Sequence, residues 1–596
     1  MATVTTLPAA KIRGGSFLIE ERVPGDIFTP EDFSEQHQLI AQTAEEFALK
    51  EIVPNIEKME EKDFAVTREL VRKAGELGLS GVDVPEQYGG MQMDKVTSSI
   101  IADRLAKHGG FSTTWGAHTC IGTLPIVYFG TEAQKKKYLP GLASGETIGA
   151  YALSESSSGS DALNCRTQAK LSADGKYYLL NGEKMWITNA GFADLFIVFA
   201  KIGEKFTAFI VERGFSGFAV GAEEHKMGIR GSSTCPLILS DCQVPVENVL
   251  GEIGKGHHIA FNVLNVGRFK LGAGCVGSAR TSLESAIAYA KQRKAFGKVI
   301  ADFGLIREKL ANMAAGIFTG EAMAYRTVGM MDAAIAALGP AHEDMKEVRK
   351  VIDEYAVECS ILKIWGSEFI DYVVDETVQI YGGYGFVEEY PAERNYRDVR
   401  VNRIFEGTNE INRLLITGFL LKRAMSGQLP LMAAIKKLMD EVISGSSEET
   451  DDGPLAPERR MVANAKKMGL FAAGVATQRY MQAIQDQQEI MGAIANMTIE
   501  TYAIESAVLR AHKLVLKNGE GNSAHAIAMM RVSMAGAMER IESSARMVIA
   551  ACAEGDMLRS QLAILRRLAK YEPFNIIGLR QAIAQKVIET GKYSIA

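Results

Sequence analysis

The spacing of apolar residues changes twice along this chain, and that change constrains the fold more than any single motif. From residue 30 to 150 apolar side chains recur three and four apart, as in "HQLIAQTAEEFALKEIVPNI" and "RELVRKAGELGLSGV", the period of amphipathic helices. Between 151 and 255 the texture turns to short apolar or alternating runs, "YYLLNGEKMWIT", "LFIVFAKI", "FTAFIVE" and "PLILSDCQVP", separated by Gly, Asn and Asp. This reads as a small, mostly antiparallel β domain. Helical spacing returns over 256–425, interrupted only by Pro340 and Pro391, and predicts a bundle of long helices. The acidic, proline-bearing stretch "ISGSSEETDDGPLAPE" (Ile443 to Glu458) has linker composition, and helical spacing resumes beyond it, so 430–596 reads as a C-terminal helical extension. The expected class is α+β: a helical N-terminal domain, a small antiparallel β domain, a helical-bundle domain and the extension.

A chain of 596 residues exceeds one core and implies three or four packing units. With 47% apolar and 23% charged residues it has the balance of a globular protein. Its net charge of -6 supplies no basic field for phosphates, which argues against nucleic acid. Seven scattered cysteines, without C-x-x-C or histidine at metal spacing, read as reduced thiols and imply no metal. The first 25 residues, with Pro8, Glu20 and Glu21, do not look like a secretory or organelle presequence. No run approaches the ~20 apolar residues of a membrane span. The expectation is a cytoplasmic protein.

Five segments carry residues suited to chemistry, each with a structural alternative. In "VNRIFEGTNEINRLLI" Glu406 and Gly407 stand just before a helix for which Thr408 is an N-cap candidate. The glycine permits close approach of another molecule and its amide can face an oxygen gaining charge; the alternative is a carboxylate interacting with the helix dipole. In "YALSESSSGSDALNCRT" an apolar strand opens into a loop rich in hydroxyls, either a donor-bearing site or a solvated loop. "NGEKMWITNAG" places Trp186 in a strand, as core or as the wall beside a flat ligand. In "AKQRKAFGKVIADFG" Arg293 and Lys294 close a helix that Phe296 and Gly297 end; the arginine complements the helix terminus or grips a pyrophosphate. "QIYGGYGF" is a glycine-rich turn. By contrast "GAGCVG" (Gly272 to Gly277) follows helical sequence without a preceding strand, so close helix packing explains it better than a dinucleotide fingerprint. His257 and His258 read as surface residues rather than ligands.

Taken in order, Ser154-Glu155-Ser156 through Gly159-Ser160-Asp161, Trp186 to Asn189, Arg293 to Gly297, Gln379 to Gly383 and Glu406 to Thr408 resemble the motif set of the acyl-CoA dehydrogenase family. The resemblance spans roughly residues 30 to 425. "YLPGLASGE", "NVGRF", "FGLIREKLANM" and "RIFEGTNEI", with the helical region after Gln428, resemble its very-long-chain branch. Ser154 and Ser156 depart from the family's Thr and Pro, keeping a hydroxyl for the flavin, and Gly304 replaces a common Gln, as in that branch.

The resemblance implies FAD, an acyl-CoA substrate and Glu406 as the base that takes the pro-R α-proton while the β-hydrogen leaves with its electron pair to the flavin, giving trans-2-enoyl-CoA. It implies flavin contacts from Tyr151, Leu153, Ser154, Gly159, Ser160, Trp186, Ile187 and Thr188, and contacts to the rest of FAD from Thr408 and Glu410. Arg293, Phe296, Gln379, Gly382 and Gly383 would hold the ADP portion from a neighbouring subunit, hence a homodimer. Ser160, Asn265, Arg268 and Gly407 would meet the thioester, which the Glu406 amide helps to polarise. Electron-transferring flavoprotein is the implied acceptor. Two rival readings are an acyl-CoA oxidase, which reoxidises with oxygen, and a non-catalytic assembly relative. In the tail, "RRMVANAKKMGLFAAGVATQRYM" (Arg459 to Met481) offers an apolar face with Lys466 and Lys467, either bundle core or a peripheral membrane contact.

Overall fold

A computed structural model describes residues 12–444 and 453–595. The N-terminal part is built from helices that include Glu35–Phe47, Phe64–Glu76, Lys95–Arg104, Gly109–Gly116 and Glu132–Ser144. Polar side chains start them as capping theory requires: Ser34, Asp63, Asp94 and Thr131 each accept a backbone N–H from the first turn. Glu132–Ser144 stops at Gly145, whose φ of 74° suits glycine.

The middle of the chain forms one sheet of eight strands. Its backbone is the pairing of Tyr177–Thr188 with Thr234–Pro245 and of Leu195–Ile202 with Lys205–Glu212. Five pairings are antiparallel. Gly149–Ala152 and Gln168–Leu171 instead run parallel to Leu195–Ile202, so the sheet is mixed. The buried runs Leu195–Ile202 and Lys205–Glu212 lack alternation because one set of alternate residues packs with helix residues such as Ile259 and Val263 and the other with strand residues such as Leu237 and Leu239.

The next helical bundle consists of Gly256–Gln292, Gly304–Ala336, Ala356–Tyr381 and Asn409–Met425, with shorter Met345–Glu354 and Pro391–Val399 between them. The "GAGCVG" glycines lie inside Gly256–Gln292, where a Cβ on Gly272 would come within 3.0 Å of the Leu362 backbone and one on Gly277 would overlap the Asp103 carbonyl. They are packing glycines. One expectation is corrected here: Phe296 and Gly297 do not end the helix, which stops at Gln292, but form the tip of a two-stranded hairpin, Lys294–Ala295 with Lys298–Val299. Both tip residues have positive φ, the requirement of a two-residue hairpin turn.

The extension comprises Leu431–Ser444, Ala456–Tyr480, Gln488–Asn518, Ala524–Cys552, Gly555–Leu568 and Ile576–Thr590. Residues 445–452 of the linker lie outside the described residues, and its last residues already belong to the helix beginning at Ala456. Buried ion pairs lock the extension to the rest. Arg510 reaches Glu321 at 2.9 Å and Glu31 at 2.7 Å, Glu321 also takes Arg280 at 2.6 Å, and Arg326 pairs with Glu505 at 2.7 Å. Lys466 binds the same Glu505, and Met468, Phe471, Ala472 and Val475 are buried. The apolar face of Ala456–Tyr480 that carries these residues is therefore bundle core. Among the described residues no helix is long and apolar enough to cross a membrane. All seven cysteines are unpaired.

Candidate active site

Between the Gly109–Gly116 and Gly256–Gln292 helices and the turn before Asn409–Met425 lies a cleft. Its walls are mostly small or apolar, with Ala102, Ala106, Trp115, Cys120 and Leu271 among them. Glu406 faces this space. Its Oε2 is sealed from solvent and has no hydrogen-bond partner among the described residues, a costly state for a buried polar atom. Burial pushes the carboxyl up to about 7, with Arg268 and Lys363 acting against the rise.

The turn that carries Glu406 is held in an unusual shape. Glu406 has φ 59° and Gly407 φ 79°, the left-handed region, which a non-glycine residue occupies at a cost of roughly 1–2 kcal/mol. Its carbonyls are gripped from below. Arg268 Nε donates to the Glu406 carbonyl at 3.2 Å, Lys363 Nζ to that of Gly407 at 2.7 Å, and Asn412 Nδ2 reaches the carbonyls of Glu406, Gly407 and Thr408 at 3.3, 2.8 and 3.0 Å. Thr408 caps the next helix by accepting the Ile411 N–H at 3.3 Å, as its sequence position predicts. Among the described residues the Glu406 and Gly407 amides find no acceptor, so they are available to an oxygen entering the cleft.

Sequence-predicted residues fall into two groups. Thr188 lines the cleft with Glu406, and Trp186, two residues earlier, stands at a bulge with φ 57°. At 57% exposure Trp186 is not core, which removes the structural reading. Ile187 between them is buried, as is Tyr151, whose hydroxyl has no partner. Leu153 and Ser154 are half-buried and Gly159 and Ser160 exposed on the loop above. Asn265 and Arg268 lie beneath the turn: Arg268 Nη1 donates to Asn265 Oδ1 at 3.0 Å, and Asn265 Nδ2 to Asp353 at 3.3 Å. Both are buried, and Arg268 supports Glu406 through its carbonyl.

Of the second group, Arg293, Gly382 and Gly383 line a separate pocket together with Tyr384. The Arg293 guanidinium lies 5.4 Å from the Tyr384 ring centroid. Gln379 is exposed in the last turn of Ala356–Tyr381, and Phe296 is 95% exposed at the hairpin tip. The two pockets share no lining residue. Glu410 is exposed on the first turn after Thr408.

Several supporting residues escaped sequence reasoning. Lys184 and Glu155, both buried, pair at 2.7 Å, and Lys184 also donates to the Leu153 carbonyl at 3.2 Å. Glu155 in turn accepts the Arg166 and Thr167 amides at 2.6 and 3.1 Å, so this one pair ties the hydroxyl-rich loop to the Trp186 strand. The legible signal was a lysine at a position of "NGEKMWITNAG" two before Trp186. Lys363 and Asn412 left no signal beyond a charged and an amide residue on helices. The cluster Glu60, His108 and Asp398 brings three ligand-type side chains together. However, His108 Nδ1 accepts the Phe111 N–H, so Nε2 carries the proton and donates to Glu60 at 3.0 Å, which leaves no nitrogen lone pair for a metal.

Comparison with known proteins fits this geometry. Family models described as the acyl-CoA dehydrogenase N-terminal, middle and C-terminal domains match residues 34–146, 150–242 and 254–421, and a further acyl-CoA dehydrogenase C-terminal domain matches 464–567. A helical domain, a sheet and a helical bundle converging on a buried carboxylate thus define an oxidoreductase of known kind: the chain belongs to the acyl-CoA dehydrogenase family. It is 48% identical to a probable acyl-CoA dehydrogenase of Bacillus subtilis, over 98% of each chain. The crystal structure of an acyl-CoA dehydrogenase complexed with FAD from Bacillus anthracis superposes with a TM-score of 0.96 at 51% identity, covering 98% of this chain and 100% of that one. The human very long-chain specific acyl-CoA dehydrogenase is 44% identical over 57% of this chain and 51% of its own length.

Proposed function

We propose that the protein binds FAD and converts a long- or very-long-chain acyl-CoA to the trans-2-enoyl-CoA in fatty acid β-oxidation, passing electrons to an electron-transferring flavoprotein. The observation that carries this reading is the Glu406 carboxylate, unpartnered at Oε2, raised to about 7 and facing a cleft of small and apolar side chains.

The residues present fit FAD. Tyr151 has a buried hydroxyl without a partner, Trp186 offers an exposed indole beside Thr188, and Phe296 projects from its hairpin into solvent. When bound, FAD supplies the acceptor for the β-hydrogen and its two electrons. Tyr151, Leu153, Ser154, Gly159, Ser160, Trp186, Ile187 and Thr188 would hold the flavin end, with Thr408 and Glu410 along it. Arg293, Gly382 and Gly383, in their separate pocket, would hold the ADP end of the FAD bound to a second copy, with the exposed Phe296 and Gln379. That division supports a homodimer.

The remaining chemistry belongs to this chain. A thioester α-proton is too weakly acidic for an ordinary carboxylate. Burial strengthens Glu406 as a base by bringing it near 7, and the Glu406 and Gly407 amides offer donors to the carbonyl oxygen as it gains charge. Arg268 holds the turn by the Glu406 carbonyl and Asn265 holds Arg268, and Ser160, Asn265, Arg268 and Gly407 are the candidates for thioester contact. Gly116 and Gly274 both border the cleft, where a Cβ on Gly116 would meet nothing within 4 Å and one on Gly274 nothing nearer than 3.7 Å. These two open positions are where an acyl chain would have room.

An anaerobic series of saturated acyl-CoA thioesters, short to very long, tests the reading by flavin bleaching. Preference rising with length supports it, and bleaching confined to short or branched chains refutes the length assignment. Fast peroxide formation on admitting air would replace the flavoprotein acceptor with oxygen.

A further inference from the structure

Lys363 sits in the helix Ala356–Tyr381 with no exposed surface. A buried ammonium needs acceptors, and it has two: the Gly407 carbonyl at 2.7 Å and Asn409 Oδ1 at 2.6 Å. The second acceptor is itself fixed, since Asn409 Nδ2 donates to Ser367 Oγ and to Glu368 Oε1, each at 3.0 Å. Lys363 therefore sits on a built platform of one helix and reaches the strained turn at the mouth of another. Because a trans peptide sets C=O and N–H antiparallel, a carbonyl pulled toward Lys363 turns the following N–H away from it.

We infer that Lys363 is a positioning residue for the dehydrogenation: it holds the left-handed Glu406-Gly407 turn by the Gly407 carbonyl, and its ammonium, anchored one residue from the base, favours the ionised form of Glu406. This rests on Glu406 being the base. Two independent features support it. The turn stores backbone strain that must be over-determined by its surroundings, and Lys363 and Asn412 are the two side chains on the Gly407 carbonyl. Electrostatically, Lys363 is one of the two cations that oppose the rise at Glu406, the other being Arg268. Lys363 itself is brought down to about 8 by burial, against Glu406, Cys275 and Glu410, with Arg268 adding to the fall. The other titratable groups around Glu406 are Tyr151, Cys120, Lys270 and Asp398. Burial raises Tyr151 and Cys120, which stay neutral in this range. Lys270 is paired with Asp83 at 2.7 Å, and burial raises Asp398 to about 6 in wild type and variant alike.

The sign follows. Removing the ammonium leaves burial less opposed, so Glu406 holds its proton to higher pH and the acid limb of the rate moves upward. Glutamine at 363 keeps an N–H for the carbonyl but not the charge, and arginine keeps both. The test uses full-length, FAD-loaded protein, with anaerobic single-turnover bleaching by a long-chain acyl-CoA followed against pH, together with flavin content and acyl-CoA affinity. Lys363→Gln is expected to retain flavin and affinity, to bleach about tenfold more slowly at pH 7, and to shift the acid midpoint up by about half a unit or more. Lys363→Arg should restore the midpoint. An unmoved midpoint in Lys363→Gln overturns the electrostatic role. Should that variant not fold, Asn409→Ala keeps the ammonium and removes one acceptor: slower bleaching with an unmoved midpoint is expected, and an unchanged rate overturns the positioning role. Wild-type protein is run first. Bound acyl-CoA without any bleaching there would sink the functional reading itself, whereas normal wild-type bleaching with an unaltered Lys363→Gln sinks only this inference.

Discussion

The carboxylate of Glu406 lies across the bare backbone of Gly267, so close that a Cβ at that glycine would come within 2.7 Å of Oε2. Gly267 is therefore the seat of the base. Gly267→Ala should leave the helix intact, since alanine is the better helix former, yet push the carboxylate out of place. A misplacement of this kind costs on the order of a hundredfold in rate. Single-turnover bleaching should fall by that amount while flavin content stays unchanged.

The state of Glu406 also predicts opposite trends in rate and stability. The base works ionised, so flavin reduction should rise with pH through about 7. Its pKa is raised above the ordinary value of 4.5, so its contribution to folding is fully present below that value and is lost as pH rises through about 7. In FAD-loaded protein without substrate, Glu406→Gln should therefore melt higher than wild type at pH 8 and alike at pH 4. Equal melting at both would mean that the carboxylate is not desolvated.

Much of this architecture is legible in the sequence because periodicity reports burial. The helical and strand regions follow from apolar spacing, and Thr408 follows from capping chemistry. The parallel pairings of Gly149–Ala152 and Gln168–Leu171 with Leu195–Ile202 do not, since register between distant strands leaves no local trace. Nor does the hairpin at Phe296-Gly297, where two positive-φ residues look like any helix stop. Glu406 is legible only through the motifs around it. Lys363, Asn412 and the Glu155–Lys184 pair act through contacts far apart in sequence and are visible only in the fold.

Chain-length preference should yield to one glycine. Gly116 borders the cleft with open space where its Cβ would be, so Gly116→Leu fills room that an acyl chain would use. The kinetic series should shift toward shorter thioesters, with the loss for the longest chains exceeding about tenfold and short chains little affected. Uniform loss across the series would place the acyl chain elsewhere.

The proposed subunit contact converges on Phe296, whose ring is 95% exposed, beside the pocket of Arg293 and Tyr384. Burial of such a ring contributes about 1.5–3 kcal/mol. Phe296→Ser should weaken dimers in sedimentation and lower flavin content together. Full flavin retention in a monomer would contradict a shared cofactor site.

The most direct test of the account is anaerobic mixing of FAD-loaded Glu406→Gln with a long-chain acyl-CoA. Glutamine matches the shape of the base but accepts no proton. The variant should remain yellow and bind acyl-CoA, while its flavin bleaches at least a thousandfold more slowly than wild type, the order expected on removing a positioned base. Bleaching at the wild-type rate would contradict the assignment of Glu406.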